Sequence, residues 1–286
     1  MSTTILAPAK INLALEVLGD LPGGYHELDS LFATLDLADE LRCAEADRTS
    51  LRLAGEVTGL DISVGEDNLV LKALRALEAA AGRPLPLEIE LVKRIPAGGG
   101  LGGGSADAAA LLYAINQSHR LGFSLARLEA MASPLGADVA FGIRGGVARG
   151  TGRGDQLKPL PSLPARTITL ILPPFFCPTG AVYRAWDESR WRPAAGKVAA
   201  SLPYLERSQW PPLEILLGND LEPAAEQVQP QLAEIRQALR PVGPTLLCGS
   251  GSTMSCWGGS LEQVQQAVAP WNCRCLAAQV SGTARS

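Results

Sequence analysis

Apolar and polar residues alternate in several short stretches of the chain, as they do in β-strands with one buried face. In residues 11–17, apolar side chains alternate with Asn12, Ala14 and Glu16, so the two sets are expected on opposite faces of one strand. Similar alternation or a β-rich composition predicts further strands at residues 30–37, 40–46, 51–53, 87–91, 167–172, 245–248 and 254–257.

Between these strands, apolar residues recur with the spacing of helices that bury one face. Residues 70–81 show this spacing, with Asn68 as the predicted N-terminal cap and Gly82 as the stop. Ser124 is placed to cap a short helix over residues 125–131, and Thr179 to cap another that reaches residue 186. Further helices are predicted over residues 106–116 and 219–239, whereas the prolines of residues 190–212 indicate an irregular connection.

A glycine-rich segment joins the strand at 87–91 to the helix at 106–116, with six glycines in seven positions from 98 to 104. Bare backbone N–H groups and the positive end of a helix dipole would face whatever occupies such a loop, and phosphate is the first candidate. The predicted phosphate-binding residues are Pro96, Ala97, Gly98, Gly99, Gly100, Leu101, Gly102, Gly103, Gly104, Ser105 and Ala106.

Three other interpretations of this glycine segment exist. A Walker loop requires a lysine after its last glycine, and none follows here. The dinucleotide fingerprint fits by spacing, but residues 120–124 lack the acidic ribose ligand expected after a second strand. A flexible linker is rarely placed between a strand and an apolar helix, so phosphate binding is the favoured interpretation.

Composition and charge narrow the class of partner. The chain has 286 residues, 47% of them hydrophobic, which is enough for a substantial core and for two domains. A net charge of −4 argues against binding to nucleic acid or to an anionic membrane. Since the sequence shows neither a signal peptide nor a membrane helix, we expect a cytoplasmic protein with a small-molecule partner.

Cysteine and histidine usage argues against a metal centre. The six cysteines are scattered without a Cys-x-x-Cys pair, and the chain has only two histidines. This pattern disfavours a zinc site and favours buried free thiols, so no metal-ligating residue is predicted.

Several polar residues have an ordinary and a chemical interpretation. Lys10 joins two strand-like runs, where a lysine is most often solvated. Tyr25 and His26 follow a turn, where they could bind a planar base or pack on the surface. Asp138 lies among apolar and small residues, where a helix cap is the commoner role and a catalytic base the rarer one. A second glycine turn at 249–253 reads by itself as a hairpin turn.

Taken in order, the segments at 8–13, 96–109 and 249–253 resemble the three motifs of the GHMP kinases, the superfamily of galactokinase, homoserine kinase and mevalonate kinase. Residues 24–26, 135–139 and 219–222 are similar to the branch that phosphorylates a methylerythritol carried on cytidine diphosphate. The likeness spans nearly the whole chain, which makes it far more specific than any single glycine motif.

The resemblance implies an α+β fold of two domains, with an ATP-binding domain at residues 1–158, a C-terminal domain at 159–286 and the active site in the cleft between them. The implied activity is transfer of a phosphoryl group from ATP, with Mg²⁺, to the 2-hydroxyl of the cytidine diphosphate substrate, in the non-mevalonate route to isoprenoid precursors. Lys10 and Asp138 match the catalytic pair, Tyr25 and His26 the cytidine pocket. Asn12 and Thr179 match further substrate contacts.

Two positions depart from the family pattern. Ala106 stands where a second hydroxyl residue is common, so Ser105 is left to make any hydroxyl contact to phosphate or metal. Ala140 replaces a common proline after Asp138. The sequence leaves open whether Phe175 or Phe176 completes a stack with Tyr25, and whether the protein is a monomer or a homodimer.

Overall fold

The computed structural model describes residues 2–55, 62–189, 191, 193, 195–282 and 284. Arg190, the first residue of the predicted irregular connection, lies outside the described residues. The strands are β1 Ser2–Leu21, β2 Tyr25–Glu45, β3 Ser50–Gly55, β4 Leu87–Lys93, β5 Val147–Gly152, β6 Gln156–Leu160, β7 Arg166–Leu172, β8 Gly218–Asn219, β9 Thr245–Leu247, β10 Met254–Cys256 and β11 Arg274–Val280.

Single helices and runs of two or three helices lie between groups of these strands, which confirms the predicted mixture of α and β elements. They are α1 Leu69–Ala81, α2 Gly103–Ser118, α3 Leu125–Ala132, α4 Ala137–Arg144, α5 Thr179–Glu188, α6 Lys197–Leu205, α7 Leu213–Leu216, α8 Glu222–Val228, α9 Gln231–Leu239 and α10 Leu261–Val268, followed by a 3₁₀ turn at Ala269–Trp271.

In the described part of the chain, one mixed sheet connects the strands in the order β3-β4-β2-β11-β7-β10-β9, with β1 and β5 also pairing with β2. β1 and β2 form a long antiparallel pair from Ser2↔Ala44 to Leu21↔Tyr25. The N-terminal and C-terminal halves meet where β11 pairs with β2 at Val280↔Leu35 and where β8 pairs with β1 at Ala14↔Gly218. The sheet therefore runs through both halves of the molecule.

The strands predicted at 30–37 and 40–46 are one continuous strand, β2. The sequence suggests a break between them because Asp is unfavourable inside a strand. Asp39 is nevertheless fully buried, and its carboxylate accepts hydrogen bonds from the backbone N–H groups of Arg94 and Ile95. Hydrogen bonds from residues far along the chain thus satisfy Asp39, although its residue type suggests an interruption of the strand.

The helices differ from the sequence expectation in two regions. The predicted helix at 219–239 is two helices, α8 and α9, because Pro230 interrupts it after Gln229. The connection at 190–212 contains α6, whose first backbone N–H groups donate to the buried carboxylate of Glu16, at 2.7 Å from both Gly196 and Lys197. A helix start that is stabilised by a residue so far away in the chain cannot be predicted from the local sequence.

The core is shared between the two halves. One cluster of buried side chains joins Ile11, Leu13 and Leu35 of β1 and β2 to Ile168 and Leu170 of β7. All six cysteines are free thiols, and five of them are buried, which confirms the prediction of buried thiols. None of the described helices combines the length and the apolar character needed to cross a bilayer.

Candidate active site

The glycine segment forms a loop that opens directly into the N-terminus of α2. Gly102 is the N-terminal cap residue, with φ of 68°, and no side chain caps the helix, so its first N–H groups are left for another partner. The helix begins at Gly103, earlier than the predicted start at 106, because the last glycines of the run are themselves helical.

Two cavities lie on either side of this loop. The loop cavity is lined by Ser63, Asn68, Lys93, Asp107 and the whole glycine run from Pro96 to Ser105. The central cavity is lined by side chains of both halves, among them Lys10, Asn12, Phe32, Asp138, Arg153, Thr179, Tyr183 and Ser250. Gly100, Gly102 and Ser105 border both cavities, so the loop is the wall between them.

Lys10 and Asp138 form an ion pair at this wall. The Lys10 Nζ lies 3.2 Å from Asp138 Oδ2, with the lysine side chain 8% exposed and the aspartate 32%. Lys10 Nζ also donates to Asn12 Oδ1 at 2.9 Å, and Asn12 donates to Ser30 Oγ at 2.8 Å. A Cβ on Gly102 would lie 3.0 Å from Lys10 Cγ and 3.5 Å from Asp138 Oδ2, so the loop backbone passes close to the pair.

These positions correct two expectations drawn from single residues. Lys10 is buried rather than solvated, because its backbone N–H donates to Leu101 O at 3.0 Å and ties β1 to the glycine loop. Asp138 is not a helix cap, since α4 has Gly136 at that position without any side-chain hydrogen bond. Asp138 lies instead in the first turn of α4, facing the central cavity.

The second glycine turn packs against the first. The backbone N–H of Thr253 donates to Gly99 O at 3.2 Å, and a Cβ on Gly100 would lie 2.0 Å from Cys248 O. The side-chain amide of Asn219 stabilises the turn by donating hydrogen bonds to Leu247 O and Gly249 O. The turn is therefore part of the site as well as a hairpin connection between β9 and β10.

Thr179 belongs to the central cavity but does not cap α5. Pro178 occupies the cap position without a side-chain hydrogen bond, and the Thr179 hydroxyl lies 2.9 Å from Ser250 Oγ. This contact joins α5 to the second glycine turn at the cavity wall.

The structure separates Tyr25 from His26. Tyr25 is 53% exposed and its ring stacks under the guanidinium of Arg153 at 4.7 Å. His26 is buried, and its ring stacks on Tyr183 with centroids 4.7 Å apart and an interplanar angle of 22°. Adjacent residues of a strand point to opposite faces, which accounts for the separation.

Tyr183 is the aromatic residue that sequence reasoning missed. It lines the central cavity, whereas neither Phe175 nor Phe176 is among the residues lining it. Burial, with a smaller contribution from Asp138, raises the pKa of Tyr183 to about 12, so this ring stays neutral. The sequence could have indicated Tyr183 by its position, because it lies one helical turn after Thr179 on α5 and so on the same face of the helix.

A buried charge cluster, Asp39–Lys93–Asp107, lies beneath the glycine loop. Lys93 Nζ donates to Asp107 Oδ2 at 2.8 Å and to Asp39 Oδ2, and all three side chains are buried. Burial raises the pKa of Asp107 to about 7, and Lys93 partly offsets that effect. Burial alone would lower the pKa of Lys93, but its two carboxylate partners outweigh burial and raise it.

One group of side chains in the described residues lies close enough together to hold a metal ion. Asp20, His26 and Asp187 bring one ligand atom each to within 4.8 Å of one another. His26 Nε2 lies 2.7 Å from Asp187 Oδ1, which is a hydrogen-bond distance, and 3.7 Å from Asp20 Oδ1. This set had no recognisable spacing in the sequence, because three separate elements contribute to it.

Both halves of the chain match known families. Residues 68–148 match the family described as the GHMP kinases N terminal domain, and residues 201–282 match GHMP kinases C terminal. The 4-diphosphocytidyl-2-C-methyl-D-erythritol kinase of Pelotomaculum thermopropionicum is 40% identical, over 94% of this chain and 93% of its own. The protein of that name from Moorella thermoacetica is 38% identical, over 87% of both.

Solved structures extend the likeness to the fold. A crystal structure of 4-(cytidine 5'-diphospho)-2C-methyl-D-erythritol kinase is 36% identical, has a TM-score of 0.77, and the match covers 98% of this chain and 99% of the other. Homoserine kinase from Cytophaga hutchinsonii is 21% identical with a TM-score of 0.74, over 100% of this chain and 96% of the other. At that identity the second match supports the fold alone.

Proposed function

Since this chain belongs to the GHMP kinases and, within them, to the 4-diphosphocytidyl-2-C-methyl-D-erythritol kinases, we propose that it transfers the γ-phosphoryl group of ATP to the 2-hydroxyl of 4-(cytidine 5'-diphospho)-2-C-methyl-D-erythritol. Membership of a kinase family excludes the alternative of a dinucleotide-dependent oxidoreductase, which the spacing of the dinucleotide fingerprint alone would allow. The α+β kinase fold expected from the resemblance is confirmed by the same matches.

The observation that carries the proposal is the shared wall of the two cavities. Gly100, Gly102 and Ser105 border both, so ATP phosphates held by the loop N–H groups and the free end of α2 would adjoin the cavity that contains Lys10 and Asp138. Phosphoryl transfer depends mainly on such positioning and on stabilising charge. The loop is thus the place where the phosphoryl donor, ATP, would meet the acceptor hydroxyl.

Asp138 is the proposed general base and Lys10 its electrostatic partner. The partly exposed carboxylate of Asp138 faces the central cavity, where an acceptor hydroxyl can give up its proton. Lys10 is fixed by Asn12 and by the loop backbone, so its ammonium group is pre-positioned to stabilise charge developing on the acceptor oxygen.

The cytidine end of the substrate is assigned to the part of the central cavity near His26, Tyr183 and Thr179. The Tyr183 ring lines this part of the cavity, with His26 stacked against it, and supplies a flat apolar surface, while Asn12 and Thr179 supply polar groups. Tyr25 is placed at the rim, where Arg153 links it to the central cavity.

Mg²⁺ is the proposed metal, arriving with ATP. The donor set fits this ion: Mg²⁺ keeps several waters and substrate phosphate oxygens, so it needs few protein ligands, and the Ser105 hydroxyl at the shared wall is one. When bound, the ion would neutralise charge on the phosphate oxygens. We place the ATP-binding domain at residues 1–158 and the C-terminal domain at 159–286.

Measuring ADP release tests the proposal. With the cytidine diphosphate substrate present, we expect ADP to form far faster than with ATP alone, whereas a protein that only binds nucleotide would give no difference. Loss of the substrate-dependent rate in Asp138→Asn, with a normal melting temperature, is the matched control that assigns the activity to this site.

A further inference from the structure

His26 is held between an aromatic ring and two carboxylates. Its ring stacks on Tyr183 of α5, and Asp20 is its cross-strand neighbour at the end of the β1–β2 hairpin. Asp187, one turn after Tyr183 on α5, lies 2.7 Å from His26 Nε2. The imidazole is therefore fixed in orientation by contacts on more than one side.

The contact with Asp187 selects one imidazole tautomer. A carboxylate only accepts hydrogen bonds, so a distance of 2.7 Å places a hydrogen on His26 Nε2. In a neutral imidazole the other nitrogen, Nδ1, then carries a lone pair and accepts. Asp20 is 91% exposed and 3.7 Å away, too far for a hydrogen bond, so it does not make this selection.

The stability of α5 does not explain why a carboxylate occupies position 187. It lies in the last turn of α5, where the negative end of the helix dipole disfavours a carboxylate. The interaction observed for Asp187 is the one with His26, across elements far apart in the chain.

We propose that Asp187 is a positioning residue for base selection: by accepting the Nε2 hydrogen of His26, it leaves Nδ1 as an acceptor that suits the exocyclic amine of cytosine and opposes the carbonyl of uracil. The proposal rests on the cytidine diphosphate substrate assigned above. Its physical basis is that two facing acceptors leave a buried polar group without a partner.

The tautomer can be read directly in the free protein. Since the chain has only His26 and His119, long-range ¹H–¹⁵N NMR of ¹⁵N-histidine protein gives two rings, and His119→Gln assigns them. We expect the Nε2-protonated neutral form of His26 in the wild type at pH 8, and a mixture of both tautomers in Asp187→Ala. An Nδ1-protonated or doubly protonated ring in the wild type, or an unchanged ring in the variant, would overturn the proposal.

Base discrimination gives the second readout. We expect Asp187→Ala to lower the ratio of kcat/KM for the cytidine over the uridine substrate by roughly tenfold, about 1.4 kcal/mol. Asp187→Glu, which restores a carboxylate, should recover most of the ratio, and Asp20→Asn, which removes a nearby charge without the hydrogen bond, should leave it unchanged. A ratio equal in wild type and Asp187→Ala would overturn the proposal even if both rates fell.

The two readouts separate this proposal from the proposed function. If the wild type phosphorylated neither substrate, the proposed function would fail and base selection with it. The NMR spectrum of the free protein would still show whether Asp187 fixes the His26 tautomer. If the cytidine substrate is turned over but the ratio does not respond to Asp187, the function stands and only the positioning role fails.

Discussion

At the scale of single residues, Lys10 and Asp138 are expected to act as one catalytic unit. Asp138→Asn keeps the shape of the side chain and removes the base, so kcat should fall by roughly 10²–10⁴-fold with a smaller effect on KM. Lys10→Ala should also lower kcat, and the double variant should be little worse than either single one, because members of one unit are not additive. Steady-state kinetics on proteins with unchanged melting temperatures checks this.

Additive losses in the double variant would mean that the two residues act independently. Near-normal kcat in a well-folded Asp138→Asn protein would leave the reaction to positioning alone. The ion-pair distance of 3.2 Å and the position of both residues beside Gly102 favour the coupled outcome.

The sequence identified Lys10 and Asp138 through their motifs but not the ring that stacks on His26. Lys10 is recognisable because Pro8, Lys10 and Asn12 form a compact local pattern. Tyr183 carries no such pattern, and its role depends on how α5 packs against β2. Residue-level chemistry is thus readable where a motif is local, and hidden where two distant elements create it.

At the scale of elements, the contact between the two glycine turns should be essential for activity. Gly100→Ala would place a Cβ 2.0 Å from Cys248 O, at a residue with φ of 80°, and so push the turns apart. We expect ATP binding to weaken at least tenfold, measured by calorimetry. Gly122→Ala is the matched control, since Gly122 has φ of 76° and open space around its Cβ position.

An equal loss of ATP affinity in both variants would show that backbone strain, rather than the contact between turns, is responsible. The sequence showed each turn by its glycines, but not their contact, because 148 residues separate Gly100 from Cys248 (248 − 100). In the sequence, a hairpin turn and a glycine loop look the same whether or not they contact each other in the folded protein.

The charge cluster Asp39–Lys93–Asp107 should make stability depend on pH. An unfolded Asp titrates near pH ~3.9, whereas burial raises the pKa of Asp107 in the folded protein to about 7. Between these values the folded state binds the extra proton, so stability should fall as pH rises from ~4 to 7, by at most about 1.4 kcal/mol per pH unit, and then level off.

Asp107→Asn removes this titration and leaves Lys93 paired with Asp39. We therefore expect the free energy of unfolding, from denaturant titrations at pH 5 and pH 8, to change less with pH in the variant than in the wild type. Asp20→Asn, which removes an exposed carboxylate, is the control and should keep the wild-type difference. An unchanged difference in Asp107→Asn would contradict the assignment.

At the scale of the whole molecule, the shared core predicts that the two halves unfold together. β11 pairs with β2, and one apolar cluster spans β1, β2 and β7. All five tryptophans follow residue 158, so their fluorescence reports on the C-terminal half, whereas far-ultraviolet circular dichroism reports on the whole chain. We expect the two denaturation curves to coincide.

Two separate transitions would instead indicate domains that fold independently at the predicted boundary. The order of motifs in the sequence indicated a two-domain kinase, and the fold agrees. The continuous sheet was not predictable, because the pairs Val280↔Leu35 and Ala14↔Gly218 join residues that are 245 (280 − 35) and 204 (218 − 14) positions apart. Local patterns define strands, but not which strands become neighbours.

Transfer of label from [γ-³²P]ATP to a panel of alcohols tests the central claim most directly. The panel contains 4-(cytidine 5'-diphospho)-2-C-methyl-D-erythritol, galactose, homoserine and mevalonate, each with Mg²⁺. The proposed site predicts labelled product from the cytidine compound alone, phosphorylated on its 2-hydroxyl, with the label lost in Asp138→Asn. Efficient labelling of another alcohol, or equal labelling by the wild type and Asp138→Asn, would contradict it.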